Sequence, residues 1–190
     1  QFDLSYTWQF GRGSLELTPF SSFYPNFIYL HPTGEWSVLP HAGQIYRYQG
    51  ARALFWGGEL SFVWHFLPGL SYRLTGDCVR NINLEERIAL SFTAPASVRQ
   101  TLTWEHRPLC LYAESHSIFT QKHVDRNEES TPGATILNVG ASAVFPKFRV
   151  QMVVGNLLDR KYFNHLSYYR KIEIPEPGRN FLLTIQIPFK

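Results

Sequence analysis

Two groups of residues in this 190-residue chain carry side chains able to do chemistry. The first group sits in alternating segments: Glu59, Arg73, Asp77, Arg99, Glu105, Glu114, His116 and Arg149. Side chains of opposite charge on neighbouring strands pair across a wall or bind a partner pressed against it. The second group lies in irregular stretches: His31, His41, Tyr46, Tyr48, His123, His165, Tyr168, Tyr169 and Arg170. Aromatic rings suit a large planar or catechol ligand, a guanidinium suits an anionic one, and an imidazole could ligate haem iron. The competing reading gives both groups a structural role, as a solvated, salt-bridged wall and as side chains that order loops or sit at a membrane interface. Catalysis is not expected. His65 with a nearby serine and aspartate could be drawn as a triad, but such residues meet by chance in any polar lining. No metal-ligand spacing occurs and no cofactor is expected.

The elements that position these residues are short alternating segments. In Phe181–Phe189, Phe181, Leu183, Ile185, Ile187 and Phe189 share one face, against Leu182, Thr184, Gln186 and Pro188 on the other. Successive strand side chains point to opposite faces, so one side is wholly apolar. The same pattern runs through Phe2–Phe10, Leu60–Phe66, Leu70–Asp77, Val98–Glu105, Leu109–His116, Leu137–Phe145 and Phe148–Val154. Leu15, Leu17, Pro19, Ser21 and Phe23 follow it less cleanly. Proline has no N–H to donate, so a bulge or bend is expected near Pro19. About nine antiparallel strands result. Tight turns at Gly11, Pro68, Pro108 and Pro146 alternate with long linkers at His31–Gly50, Asn81–Ala96, Gln121–Gly133 and Asp159–Gly178. Membrane barrels of bacteria show this asymmetry, with short turns on one side and long loops on the other.

Composition agrees. Aromatic residues make up 16% and charged residues 17% of the chain, rich and sparse respectively for a soluble domain. No apolar run of about 18 residues exists, so no transmembrane helix is expected, a test that barrel strands escape. The net charge of +3, with no basic run, argues against nucleic acid. No charged-then-apolar leader follows Gln1, so a secretory signal is expected to lie outside this chain. Cys78 falls on the apolar face near the long-linker end of its strand, and Cys110 on the polar face near the turn end. A disulfide needs Cα atoms within about 7 Å, so none is expected.

Several segments resemble TonB-dependent outer-membrane receptors. Asn156-Leu157-Leu158-Asp159-Arg160-Lys161-Tyr162-Phe163 resembles the family's N-L-F-D-K-x-Y segment. Pro175-Glu176-Pro177-Gly178-Arg179-Asn180 resembles its P-x-P-G-R-x lead-in to the last strand. Phe189 resembles the terminal aromatic that signals barrel insertion, although here Lys190 follows it. Gly50-Ala51 with Gly58-Glu59, and Phe92-Thr93-Ala94-Pro95, resemble further family segments. The resemblance implies an all-β, antiparallel transmembrane β-barrel, with about nine strands forming the C-terminal part of a barrel of about 22 strands around a plug.

The chain is then expected to be incomplete, with its first and last strands as unpaired edges. Its implied partners are the remainder of the receptor (plug and N-terminal barrel strands), the TonB system reached through that N-terminal part, outer-membrane lipid and the barrel-assembly machinery. The resemblance implies residence in the bacterial outer membrane and energy-dependent uptake of a scarce ligand such as an iron–siderophore complex. Glu59, Arg73, Asp77, Arg99, Glu105, Glu114, His116 and Arg149 would face the plug. His41, Tyr46, Tyr48, His123, His165, Tyr168, Tyr169 and Arg170 would belong to loops that capture the ligand. Two other architectures stay open: a small self-contained barrel of about eight strands for ligand binding or anchoring, and a soluble β-sandwich.

Overall fold

The computed structural model describes residues 1–40 and 43–188. The expectations for His41 and Phe189 therefore fall outside the described residues. One antiparallel sheet contains every described strand: β1 (Phe2–Asp3), β2 (Tyr6–Phe10), β3 (Gly13–Trp36), β4 (Gln44–Leu67), β5 (Leu70–Asn83), β6 (Ser97–His106), β7 (Leu109–Ile118), β8 (Ala134–Val144), β9 (Arg149–Gly155) and β10 (Asn180–Gln186). β1 and β2 both pair with β3, as one interrupted edge strand, and every later strand pairs with its predecessor. The sheet thus has the nine positions expected. Among the described residues the β1–β2 and β10 edges pair with nothing further, so neither a closed small barrel nor a second, covering sheet is present.

Cross-strand register sorts the side chains onto two faces. Trp64, Tyr72, Leu102, Ala113, Val139, Val154 and Phe181 are successive partners along one row of the outward face. Val63, Arg73, Thr101, Glu114 and Asn138 form a neighbouring row on the opposite face. The outward face has no covering layer: Phe181 is 73% exposed and Leu183 64%. In water such a face would be strongly disfavoured, and hydrocarbon relieves that cost. Both cysteines are unbridged, on opposite faces.

Three sequence expectations change. The stretch His31–Gly50 is mostly strand: β3 and β4 are each 24 residues long and stay paired through His31↔Arg47 and Pro32↔Tyr46. Only residues 37–43 connect them. Proline and glycine mimic a loop here, but a register shift between Pro32 and Trp36 absorbs them, and the Thr33 hydroxyl donates to the Ile45 carbonyl at 2.9 Å. His31, Tyr46 and Tyr48 are accordingly strand residues. Strands of this length reach about 80 Å, so the hairpin projects well beyond the shorter strands beside it. The linker expected from Asn81 begins at Leu84, because β5 continues to Asn83.

The third change concerns Pro19, which stays in register with Gly58; the nearest register shift in β3 falls at Pro25-Asn26. The Pro19 carbonyl accepts from the Leu4 amide at 3.1 Å, so the side of Pro19 that lacks a donor faces the edge strand. The pairing breaks there instead, at Leu4 and Ser5 between β1 and β2.

Candidate functional site at the long-loop end

The β5 strand ends in two asparagines that fold the next loop back over β3 and β4. Asn81 Nδ2 donates to Thr93 Oγ1 at 2.6 Å, and its Oδ1 accepts from the Leu90 amide at 2.9 Å. Asn83 Oδ1 accepts from the Glu85 amide at 2.9 Å. Leu90 is thereby driven into a small apolar cluster with Tyr29, Ala51 and Ala53. The Ser91 hydroxyl donates to the Leu30 carbonyl, closing the loop onto the projecting hairpin.

The β7–β8 loop packs beside it. Gln121 Nε2 donates to the Thr93 and Ala94 carbonyls, and His123 Nε2 lies 2.7 Å from the Asn81 carbonyl oxygen. His31 Nδ1 lies 2.9 Å from Asp125 Oδ2, whose carboxylate is fully buried. The centre of the assembly is Glu128. Its carboxylate accepts from the Phe92 amide at 3.1 and 3.2 Å and from Arg170 Nη2 at 2.8 Å. Arg170 also donates from Nε to the His165 carbonyl and from Nη1 to the Glu129 carbonyl. One guanidinium therefore ties the β7–β8 loop to the β9–β10 loop with its whole fork.

Electrostatics follow from burial. Desolvation raises the Glu128 pKa, against the Phe92 amide and Arg170, which favour the carboxylate. His165 is fully buried, and desolvation, helped by Arg170 and Lys171, lowers it to about 4. It is therefore neutral at ordinary pH. Its Nδ1 lies 2.8 Å from Thr131 Oγ1, while Nε2 stands 3.4 Å from Glu128 without hydrogen-bond geometry.

The segment from Asn156 shapes the base of the last loop. Asn156 and Asp159 both adopt positive φ, which asparagine and aspartate tolerate best among residues with a Cβ. Asn156 Oδ1 accepts from the Arg160 amide, and its Nδ2 reaches the Arg160 and Pro177 carbonyls. Asp159 Oδ1 accepts from the Arg179 amide at 2.8 Å. A Cβ on Gly178 would sit 2.6 Å from that same oxygen. The two sequence motifs, about 20 residues apart, are thus one hydrogen-bonded clasp.

The tip of the β3–β4 hairpin and the last two long loops line a hollow of about 370 Å³, with Trp36, Tyr46, Asn127, Glu129, Tyr168 and Lys171 among the lining residues. The Tyr46 ring meets Phe92 and Tyr168 at centroid distances of 5.8 and 5.9 Å, and Lys171 Nζ sits 5.0 Å from the Tyr46 centroid. The Tyr46 hydroxyl is buried without a partner, and desolvation pushes its pKa up to about 12. Tyr48 is 82% exposed and Tyr169 64%. The loop residues named from sequence thus divide. Tyr46, Tyr168 and Tyr169 line the hollow and Tyr48 stands open, whereas His123 Nε2, His165 Nδ1 and the Arg170 guanidinium are engaged in holding loops together. Sequence reading missed Asn81, Asn83, Asp125 and Glu128; an Asn-x-Asn at a strand end was the one local signal.

On the inner face, Arg99 Nη1 meets Glu114 at 3.0 Å and Nη2 lies 3.5 Å from His116 Nδ1. Asn138 Nδ2 also donates to Glu114, and Ser97 donates to Asp77. Glu59, Arg73, Glu105 and Arg149 share that face but form no ion pair among the described residues. Glu59 stands directly opposite Asp77, with Glu16 nearby in the same acidic hollow.

No family model matches the chain, and no curated protein matches it. Solved structures do. The copper transporter OprC is 17% identical with a TM-score of 0.86, over 98% of this chain and 30% of that one. The ferric enterobactin receptor PfeA of Pseudomonas aeruginosa is 18% identical with a TM-score of 0.74, over 98% and 30%. The FrpB iron transporter of Neisseria meningitidis is 13% identical with a TM-score of 0.71, over 96% and 30%. The chain thus spans about 30% of the length of each of these. Its fold is that of the C-terminal barrel region of TonB-dependent receptors.

Proposed function

We propose that the chain is the C-terminal barrel wall of an outer-membrane TonB-dependent receptor that imports a metal complex, such as an iron–siderophore. The observation that carries this reading is the one-layered sheet: an exposed apolar face, a charged opposite face, short turns at one end and interlocked loops at the other. A bilayer and a plugged bore give each face its solvent. The role is transport rather than catalysis. The likeness to OprC, PfeA and FrpB over 96–98% of the chain supports uptake of copper, a ferric siderophore or iron, without selecting among them.

Within this reading Tyr46, Tyr48, Tyr168 and Tyr169 present the ligand-facing surface, and His123, His165 and Arg170 hold the loops that carry it. His41 belongs to the same end by sequence. Glu59, Arg73, Asp77, Arg99, Glu105, Glu114, His116 and Arg149 face the plug. The remaining strands and plug close the two open edges, TonB supplies energy through them, and Phe189 is the aromatic read by the barrel-assembly machinery.

The test is uptake by cells starved of metal, with and without the intact receptor that contains this chain. Labelled copper, free ferric iron and ferric siderophores are supplied separately, with and without collapse of the inner-membrane proton gradient. Gradient-dependent uptake of one class, lost on deletion, is expected. Recovery of the chain as a soluble monomer, or unchanged uptake of every class, overturns the proposal.

A further inference from the structure

An apolar hollow of about 660 Å³ crosses the outward face from the edge strand to β6, between Leu4, Tyr6, Leu17, Gly58, Gly76 and Val98. Missing side chains create it. Glycine inside a strand costs conformational entropy and weakens the ladder, so its presence at two neighbouring positions needs a cause. At Gly57 the cause is the backbone, because a Cβ there would strike the Cys78 carbonyl oxygen. At Gly58 and Gly76 no such constraint exists. An added Cβ would come no closer than 3.6 Å and 3.5 Å to any neighbour. These two glycines therefore leave space that a side chain could fill.

A charge stands directly above. Arg80 follows Cys78 by two residues on the same face of β5, about 7 Å higher along the strand. It is exposed, pairs across the ladder with Trp56, and takes part in none of the ion pairs among the described residues. From Leu70, just after the short turn, to Arg80 the chain climbs about 25 Å along the membrane normal at a tilt of about 40°. That is about the height of the apolar band of an outer-membrane barrel, and tryptophan beside it marks the interface. A guanidinium at headgroup depth over an apolar trough matches an anionic head joined to a hydrocarbon tail.

We propose that this trough is a binding site for a phosphate-bearing lipid of the outer leaflet, with one acyl chain over Gly58 and Gly76 and the phosphate on Arg80. The inference rests on the outer-membrane reading above. The experiment uses the intact receptor, extracted from outer membranes in mild detergent, washed by gel filtration and analysed by native mass spectrometry. Wild type is expected to retain one phosphorylated lipid. The double variant G58L/G76L, which fills the trough, lowers retention at least about tenfold. R80Q keeps lipid bound but lowers the preference for phosphorylated over neutral lipid by about tenfold, as loss of a charge-assisted contact predicts. Heat-modifiable migration of all three proteins checks folding and membrane insertion separately. Correct insertion with equal lipid retention in all three overturns this inference alone. A polypeptide cross-linked through Cys78 in place of lipid also overturns it. Failure of wild type to insert overturns the outer-membrane reading and this inference with it.

Discussion

The wall and the loop end of this molecule are ordered by different forces. In the wall, each side chain answers to the solvent on its own side of the sheet. Neighbours along a row, such as Leu102, Ala113, Val139 and Val154, need only be apolar. At the loop end, polar groups are removed from water and each must find one particular partner. Glu128, Arg170, His165, Thr131 and Phe92 come from three separate connections. A wall of this kind tolerates substitution within a class; the loop end depends on individual atoms. The comparison breaks if damage at the loop end unfolds the wall, or if the wall proves equally sensitive to single contacts.

The largest effect is expected at the loop centre. Arg170→Ala leaves the buried Glu128 carboxylate without its charged partner. Removing one member of a buried pair costs about 3–5 kcal/mol. The loss should appear as rapid proteolysis and fast hydrogen exchange in residues 119–133 and 156–179. Heat-modifiable migration of the barrel should stay unchanged; its loss would mean the two regions fold as one unit.

The wall is tested next by a charge on its outward face. Val139 lies midway along β8, so Val139→Arg places a guanidinium near the bilayer centre, at a cost of about 2–4 kcal/mol. Gln151→Arg, on the inner face, should cost well under that. Urea titration of the assembled receptor in lipid vesicles reads both. Equal costs would show that the outward face does not meet hydrocarbon.

Acid sharpens the comparison. His165 has a pKa of about 4 when folded against 6.5 unperturbed. Between those values the open loop binds a proton that the closed loop refuses, so loop stability falls as pH drops from 6.5 to 4. The shift corresponds to about 3 kcal/mol at most. Glu128, whose pKa is raised, acts in the opposite sense: its protonated form suits the buried site, and its contribution weakens as pH rises. The His165 trend should therefore be visible but reduced. His165→Gln should flatten it, read as loop proteolysis normalised to an unfolded substrate; an unchanged slope would assign the acid response elsewhere.

The same contrast explains what could be read from the chain. Alternation at Phe181–Ile187 and Leu70–Asp77 located strands, faces and turns, because a period of two needs no knowledge of distant residues. The ladder of β3 and β4 beyond His31 was hidden, since Pro32, Gly34 and Gly50 read locally as a loop while pairing overrides them. The role of Glu128 was hidden for another reason. Nothing near it in sequence announces Arg170, some 40 residues on, or the Phe92 amide, some 36 residues back. The Asn156–Phe163 and Pro175–Asn180 segments resemble family motifs, but their mutual clasp through Asp159 is a fact of three dimensions.

The smallest predicted effect tests how strictly the loop end enforces its pairing. The Tyr46 hydroxyl is buried there without a partner and without a charge, with its ring already held by Phe92, Tyr168 and the Lys171 ammonium. A buried unsatisfied hydroxyl costs free energy, so Tyr46→Phe should leave loop protection intact or raise it by up to about 1 kcal/mol. In the transport reading the Tyr46 ring lines the hollow meant for a ligand, whereas its hydroxyl is buried away from it. The variant, which keeps the ring, should then leave ligand affinity unchanged while the empty loops become no less stable. A loss of stability without ligand would show that Tyr46 belongs to the holding network with Arg170 and His165, and the division between holding and presenting residues would have to be redrawn.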